Sequence, residues 1–300
     1  MTFKSASLAG ISIDRLRTLC AVVEAGSIAG AAGKDPNRQS QFSRQLKDLE
    51  NALGLSLFDR AGKVLHPNAT GRRVASAIQT FFGALDDVMD AAEGRAERVR
   101  FGASDAVLRW LVMPHLAELM AGDPPLRFEI HAMTTESAVR ALVDGRIDLA
   151  ILRTEGVPQD VQSEVVKTVH YVLAVPRSLL RSREAAEVFE GRTLPFAELA
   201  GDAYFTKEAQ ATASSLGLQL RPVLQAHSFS LLMSAVESGT AVAFLPEVAA
   251  KSLPEERFAA VGGEGMRMLN RSLSLTWMAH VANSRLPVRR AITRLRKVLA

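Results

Sequence analysis

Ser27-Ile28-Ala29-Gly30-Ala31-Ala32 is followed by the breaker Asp35-Pro36-Asn37 and then by Arg38-Gln39-Ser40-Gln41-Phe42-Ser43-Arg44-Gln45-Leu46. Small residues stand where two helices must touch, a tight turn follows, and the next helix has one apolar and one polar-basic face. That order predicts a helix-turn-helix. Upstream, Ile13, Leu16, Leu19 and Val23 keep helical spacing until Gly26. Downstream, the segment closes with Leu49-Glu50, Leu53-Gly54, Leu57-Phe58 and Arg60.

The faces of the second helix follow from counting. Phe42, Leu46, Leu49 and Leu53 recur at intervals of four, three and four, so they form one buried stripe. Ser40, Ser43, Arg44 and Lys47 fall on the opposite side. With Arg38 and Gln39 they suit a major groove: cations reach guanine edges or phosphates, Gln pairs with adenine, and serines permit close approach. An ordinary solvated helix face has the same composition, so the next segment decides. Asp59 to Arg73 reads as two short strands around a glycine turn, a wing, with Arg60, Lys63, Arg72 and Arg73 along the nucleic-acid backbone. Over residues 12–74 ten Lys and Arg face six Asp and Glu, a modest electrostatic footprint for DNA.

Gly26-Ser27, Ala31-Ala32, Gln39, Ser43-Arg44-Gln45, Leu49-Glu50, Leu53-Gly54, Leu57-Phe58, Arg60 and Gly71 together resemble the N-terminal winged helix-turn-helix of LysR-type transcriptional regulators. Departures from that pattern are Asp35 and Asn37 at usually apolar positions, Arg38 at a usual Ser, and Pro67-Asn68-Ala69-Thr70-Gly71 where the wing usually ends Leu-Thr-x-Ala-Gly. Asn37 is the expected N-cap of the recognition helix.

Val74, Ile78, Phe81, Leu85, Val88 and Ala92 then alternate steps of four and three, a heptad seam on a helix from about Thr70 to Ala92. A helix packed on its own domain is the alternative. The resemblance implies a linker helix that dimerises the chain through Val74, Ile78, Phe81, Leu85 and Val88, which presents two recognition helices to two half-sites.

From Glu97 the texture becomes alternating strand and helix. Val99, Phe101 and Ala103 alternate with polar or small residues, Ser104-Asp105 caps a helix, and Leu126 to Ala132 alternates strictly. Thr134-Thr135 caps a second helix, and Ile147 to Leu152 is a short buried strand. This predicts a βαβαβ unit with a parallel sheet. A second such unit is expected from the apolar run Val165–Val175, an extended Val223–Ala226, a helix over Ser230–Ser238 and a strand Ala241–Leu245 stopped by Pro246. The chain returns through Ser272–Ala279 to a last helix carrying Val288, Ile292, Leu295 and Leu299. Its outer face holds Arg285, Arg289, Arg290, Arg294, Arg296 and Lys297, read as solvated rather than nucleic-acid-binding.

Two such lobes resemble the effector domain of LysR-type regulators, itself similar to periplasmic solute-binding proteins. Ligands of these sheets bind beyond the carboxyl ends of strands, where helix N-termini point. Those places are Ser104-Asp105, Thr134-Thr135 and Arg153-Thr154, faced from the second lobe by Tyr204-Phe205-Thr206 and His227-Ser228-Phe229. Candidate effector contacts are therefore Ser104, Asp105, Thr134, Thr135, Arg153, Thr206, Ser228 and Phe229. Hydroxyls with one Arg favour a small anion. Ser and Thr are also ordinary helix caps.

Composition sets limits. The 300 residues fit one small and one two-lobed domain, and a net charge of +4 favours polyanions only mildly. Single Cys20 excludes an intrachain disulfide framework and is expected in the core. Met1–Gly10 lacks the apolar core of a signal peptide and reads as a disordered extension. No apolar run approaches a membrane span. Catalysis finds little support: six scattered histidines lack metal-ligand spacing, and Asp144 and Asp148 flank a turn where solvated carboxylates are ordinary.

The expected fold is an α+β multidomain chain: winged helix-turn-helix over 11–70, linker and dimerisation helix over 71–96, and a two-lobed α/β effector domain over 97–300. Lobe I is expected over about 97–171 and 271–300, lobe II over about 172–270. The expected protein is a cytoplasmic regulator, not an enzyme, with no metal or cofactor. Its partners are operator DNA, a small effector, its own copies as homodimer or homotetramer, and RNA polymerase. The alternatives are a DNA-binding protein without an effector, and a two-lobed solute-binding protein or transferase; both of the latter leave residues 12–92 unexplained.

Overall fold

A computed structural model describes residues 11–33, 35–61, 64–122, 124–180 and 191–299. The extension expected over residues 1–10, and Lys63 of the wing, lie outside them.

Helix α1 (Ile13–Ala25) starts where Ser12 accepts the Arg15 N–H, and Gly26 ends it at φ 73°. After the short α2 (Ile28–Ala32), α3 (Pro36–Leu53) is capped by Asp35, whose carboxylate accepts the N–H groups of Asn37 and Arg38. Asn37 is therefore not the cap. Pro36 needs no N–H partner and its fixed φ suits the first helical position, so the helix begins earlier than the sequence reading placed it. Strands β1 (Phe58–Ala61) and β2 (Val64–Pro67) pair antiparallel as the wing. Helix α4 (Ala69–Ala92) follows, capped by Asn68.

Leu19, Val22, Val23, Phe42, Leu46, Leu49, Leu57 and Phe58 form the core of this first domain. Val74 and Ile78, half-buried, pack against it from α4, so the protomer's own core takes part of the surface expected for the dimer seam. Ser76, Thr80, Gly83 and Asp87 form a second, buried stripe on α4. Phe81, Leu85 and Val88 stay exposed.

The rest of the chain runs β3 (Glu97–Ala103), α5 (Asp105–Val107), α6 (Leu116–Met120), β4 (Leu126–Ala132), α7 (Thr135–Val143), β5 (Leu149–Arg153) and β6 (Gln162–Val169). It continues with β7 (Tyr171–Pro176), β8 (Arg192–Leu199), α8 (Ala203–Ser215), β9 (Leu218–Ala226), α9 (Phe229–Glu237), β10 (Ala243–Pro246) and α10 (Glu247–Ala250). Last come β11 (Phe258–Val261), β12 (Arg271–Trp277), α11 (Ala279–Ser284) and α12 (Leu286–Leu299).

One sheet has the order β4-β3-β5-β12-β6, with β3 parallel to β4 and β5, and β12 antiparallel to β5 and β6. The second lobe is built on β10-β7-β11 and the parallel pair β8-β9. Backbone bonds of Val242 with Pro195 and Ala197 join them.

Two expectations change here. The run Val165–Val175 is two strands broken at His170: β6 closes the first sheet and β7 centres the second. The second lobe does hold a parallel unit, but its first strand is β8 rather than the apolar run: β8 pairs parallel with β9 and, through Phe196 and Val242, with the entry to β10, while β7 runs antiparallel to β10 and β11 as β12 does to β5 and β6. The strand expected at Val223–Ala226 begins at Leu218. Its register slips opposite Phe196 and Ala197, leaving Val223 unpaired just after Pro222, which donates no ladder bond.

The basic face of α12 is not simply solvated. Arg285 is 2 % exposed and bridges Asp87 of α4 and Asp148 at the entry to β5. Arg290 meets Glu97, Arg296 meets Glu164, and Lys297 meets Glu118. Asp144 and Asp148 are buried, at 4 % and 1 % exposure, rather than solvated at a turn.

Candidate DNA-binding face and effector cleft

Helix α3 buries Phe42, Leu46 and Leu49 and exposes Arg38, Ser40, Ser43, Arg44 and Lys47. Its seat is set by Thr18, which donates to Gln45 at 2.7 Å, and by the Arg15–Asp48 ion pair at 2.9 Å. Close approach of the short α2 depends on Gly30, where a Cβ would stand 2.9 Å from the Ala25 carbonyl oxygen. Gln39 is half-buried and donates to the Gly33 carbonyl at 3.0 Å, so it braces the turn. The Arg38 guanidinium lies over the Phe42 ring at 5.2 Å. Gln41 is exposed one position from Ser40, and the sequence reading passed over it because its type alone marks no face. Arg60 is exposed on the wing. Arg72 instead turns toward the other domain and meets Asp144 at 3.4 Å, leaving exposed Arg73 beside it.

Between the lobes lies a cavity of 210 Å³. Ser104, Asp105, Thr134, Thr135 and Arg153 line it from the ends of the first sheet's parallel strands, and Ser228 and Phe229 from the second lobe. Thr206 does not reach it; its hydroxyl donates to the Leu199 carbonyl at 3.1 Å, because α8 turns that face back toward β8. Thr134 also accepts the Ser137 N–H as the cap of α7, and Ser104 accepts the Val107 N–H.

The lobes are tied across the cavity at two places. Asp105 accepts the hydroxyls of Ser228 and Ser230 at 2.7 and 2.5 Å. Arg153 pairs with Asp202, which also caps α8 through the Phe205 N–H. Tyr171, Asp202 and Arg271 also line the cavity, and no sequence pattern marks them. Each sits at a strand or helix start whose place in the cleft depends on where the chain crosses between lobes. Tyr171, Phe205 and Phe229 form a ring cluster with centroids 5.0 to 5.5 Å apart. Burial pushes the Tyr171 phenol up to about 12, against the pull of Arg271 and Arg153, so its hydroxyl stays protonated. Cys20 is likewise pushed up to about 12 by burial, which makes it an inert packing thiol.

Residues 13–72 match the bacterial regulatory helix-turn-helix protein family, lysR type, and residues 92–300 match the LysR substrate binding domain. The chain is 26% identical over 249 residues to a probable nitrogen assimilation transcriptional activator of Synechococcus elongatus, covering 79% of each. Its fold is similar to that of ArgP from Mycobacterium tuberculosis, with a TM-score of 0.71 at 16% identity over 95% of this chain and 96% of that one. It is also similar to DarR of Vibrio fischeri in complex with DNA, with a TM-score of 0.56 at 16% identity over 99% of this chain and 100% of that one. With two family domains matched in order along the chain, the protein belongs to the LysR family of bacterial helix-turn-helix transcriptional regulators.

Proposed function

We propose that this regulator reads a two-half-site operator with Arg38, Ser40, Ser43, Arg44 and Lys47, holds the backbone with wing residues including Arg60, and senses a small anion in the interlobe cavity. The units that divide this work are residues 11–70 for DNA, 71–96 for linkage and self-association, and 97–300 for the effector. The protein acts in the cytoplasm beside its operator and performs no catalysis.

The observation that carries the reading is the cavity itself. Residues of both lobes line it, and the lobes are tied across it by hydrogen bonds and an ion pair. A ligand that fits one lobe arrangement better than another shifts the balance between them. The α4 helix joins that arrangement to the recognition helices.

Selection of binding sites from a random duplex pool, followed by footprinting, tests the DNA reading. The expected result is a sequence-specific footprint with two protected half-sites. Binding without sequence preference overturns it. Titration of that complex with small carboxylates is expected to change operator affinity.

A further inference from the structure

Two arginines line the cleft, and their guanidinium groups differ in what already holds them. Arg153 is neutralised by Asp202. Arg271, at the start of β12, is only 7 % exposed and makes no ion pair among the described residues. Its Nη1 donates to the carbonyls of Met268, Leu269 and Asn270 at 3.4, 3.4 and 3.2 Å. Its guanidinium lies over the rings of Tyr204 and Phe205, 4.9 and 5.5 Å from their centroids. These contacts fix the fork in place. They leave Nη2 buried without a hydrogen-bond partner. A desolvated charged donor without a partner is costly, and the cost is relieved when an anion arrives from outside.

The remaining surroundings restrict that anion. Val107, Leu111, Val169, Phe205, Phe229 and Leu273 make much of the cavity wall apolar. The Tyr171 hydroxyl is protonated and brings no charge. Among the Asp and Arg side chains lining the cavity, Arg153 and Asp202 cancel. Asp105 is satisfied by two serine hydroxyls at the first turn of a helix. Asp105 keeps its charge but is engaged by those hydroxyls, so Arg271 is the lining arginine without a carboxylate partner, and one negative charge complements it locally. A second would face the carboxylates of Asp105 and Asp202, and a phosphate monoester carries about −1.5 to −2 at neutral pH.

Building on the reading of this cleft as the effector site, we propose that Arg271 anchors the charged end of the effector and that the effector is a small monocarboxylate with an apolar body. Arg153 is then the interlobe ion-pair partner, not the anion's ligand. A charge-assisted guanidinium–carboxylate contact in a dry site supplies both the affinity and the sign preference.

The test is calorimetry on the full-length protein with benzoate as probe, benzamide as its uncharged isostere and phthalate as a dianion. Benzoate is expected to bind at least about tenfold more tightly than either of the others. Arg271→Gln is expected to weaken benzoate about ten- to a hundredfold, and Arg271→Lys, which keeps the charge, less. Ala200→Phe fills the cavity and is expected to abolish binding. Equal affinity for benzoate and benzamide overturns the proposal. So does wild-type affinity in Arg271→Gln when Ala200→Phe blocks binding; the cleft is then the site and Arg271 is not its anchor. Benzoate binding that survives Ala200→Phe places the site elsewhere and overturns the cleft reading itself. Failure of benzoate, phenylacetate and hexanoate alike to bind the wild type overturns the ligand class. Should Arg271→Gln not fold, the Lys variant and the benzamide comparison decide.

Discussion

Arg285 spends nearly all its donors inside the protein. Nε and Nη2 hold Asp87 at 2.8 Å each, Nη1 holds Asp148 at 2.7 Å, and Nη2 also reaches the Arg98 carbonyl. Arg285→Met leaves Asp87 buried without its cation, and stability is expected to fall by about 3–5 kcal/mol in urea denaturation. A change below ~1 kcal/mol would mean that water reaches the site. For Asp148, burial alone would raise the carboxyl; Arg100 and Arg285 outweigh that and hold it below its ordinary 3.8. A carboxylate depressed in the folded state contributes stability above its unfolded value and loses it as pH falls through the folded one. Acid unfolding is therefore expected below about pH 4, and Arg100→Gln moves its midpoint upward, as circular dichroism would show. On the DNA face, Arg44→Ala is expected to lose about 1–3 kcal/mol for the selected site in gel shifts while sparing non-specific binding. An equal loss on all sequences would reassign Arg44 to phosphate.

At the scale of the element, α4 serves two neighbours at once. Its buried stripe of Ser76, Thr80, Gly83 and Asp87 packs on its own effector domain, where Ser76 meets His280 at 3.2 Å and a Cβ on Gly83 would stand 3.0 Å from Arg285 Nε. Small residues there let the helix lie close. The opposite face leaves Phe81, Leu85, Val88 and Met89 between 46 and 67 % exposed, a stripe that asks for a second copy. Phe81→Asp with Leu85→Asp is expected to shift sedimentation toward monomer and to weaken operator binding; an intact dimer would move the interface elsewhere. The start of α4 is equally constrained. A Cβ at Gly71 would fall 2.2 Å from the Leu57 carbonyl oxygen, so Gly71→Ala must push the wing off the helix. A cost of about 1–3 kcal/mol in thermal unfolding is expected.

Across the whole molecule, β5 is a short route between the two places where the chain is tied together. At its entry Asp148 joins Arg285 and, through it, α4; at its exit Arg153 joins Asp202 of the other lobe. The tie between the lobes and the tie to the linker helix therefore share a strand. The proposed two-fold dimer on α4 would also set a spacing, with recognition helices addressing half-sites about one helical turn, ~10–10.5 bp, or a multiple apart. Inserting about half a turn between half-sites of the selected operator is expected to weaken binding, and a full turn to restore much of it. Indifference to the half-turn insertion would mean that each recognition helix binds alone.

Much of this architecture is local and was legible in the residues. The stripe Phe42-Leu46-Leu49, the stop at Gly26 and the alternating strand Leu126–Ala132 declare themselves by period, since a helix or strand shows its apolar face at fixed intervals. The short helix-turn-helix and the parallel part of the first sheet follow from them. What period cannot say is which surface covers a face. Val74 and Ile78 continue the rhythm of Phe81 and Leu85, yet the protomer's own core takes part of the first pair's surface and leaves the second exposed. Strand β8 and helix α8 escaped notice because Pro195 interrupts one and small polar residues blur the other. Thr206 looked like a cleft residue until the turn of α8 aimed it at Leu199. Charged residues were the least legible. Arg285 and Asp87 stand 198 positions apart, and a lone Arg in a sequence reads as solvated until the fold brings a carboxylate to it and removes the water. The same holds for Arg271: its type is in the sequence, but its dryness, its fixed fork and its unmet donor exist only where two lobes close over it.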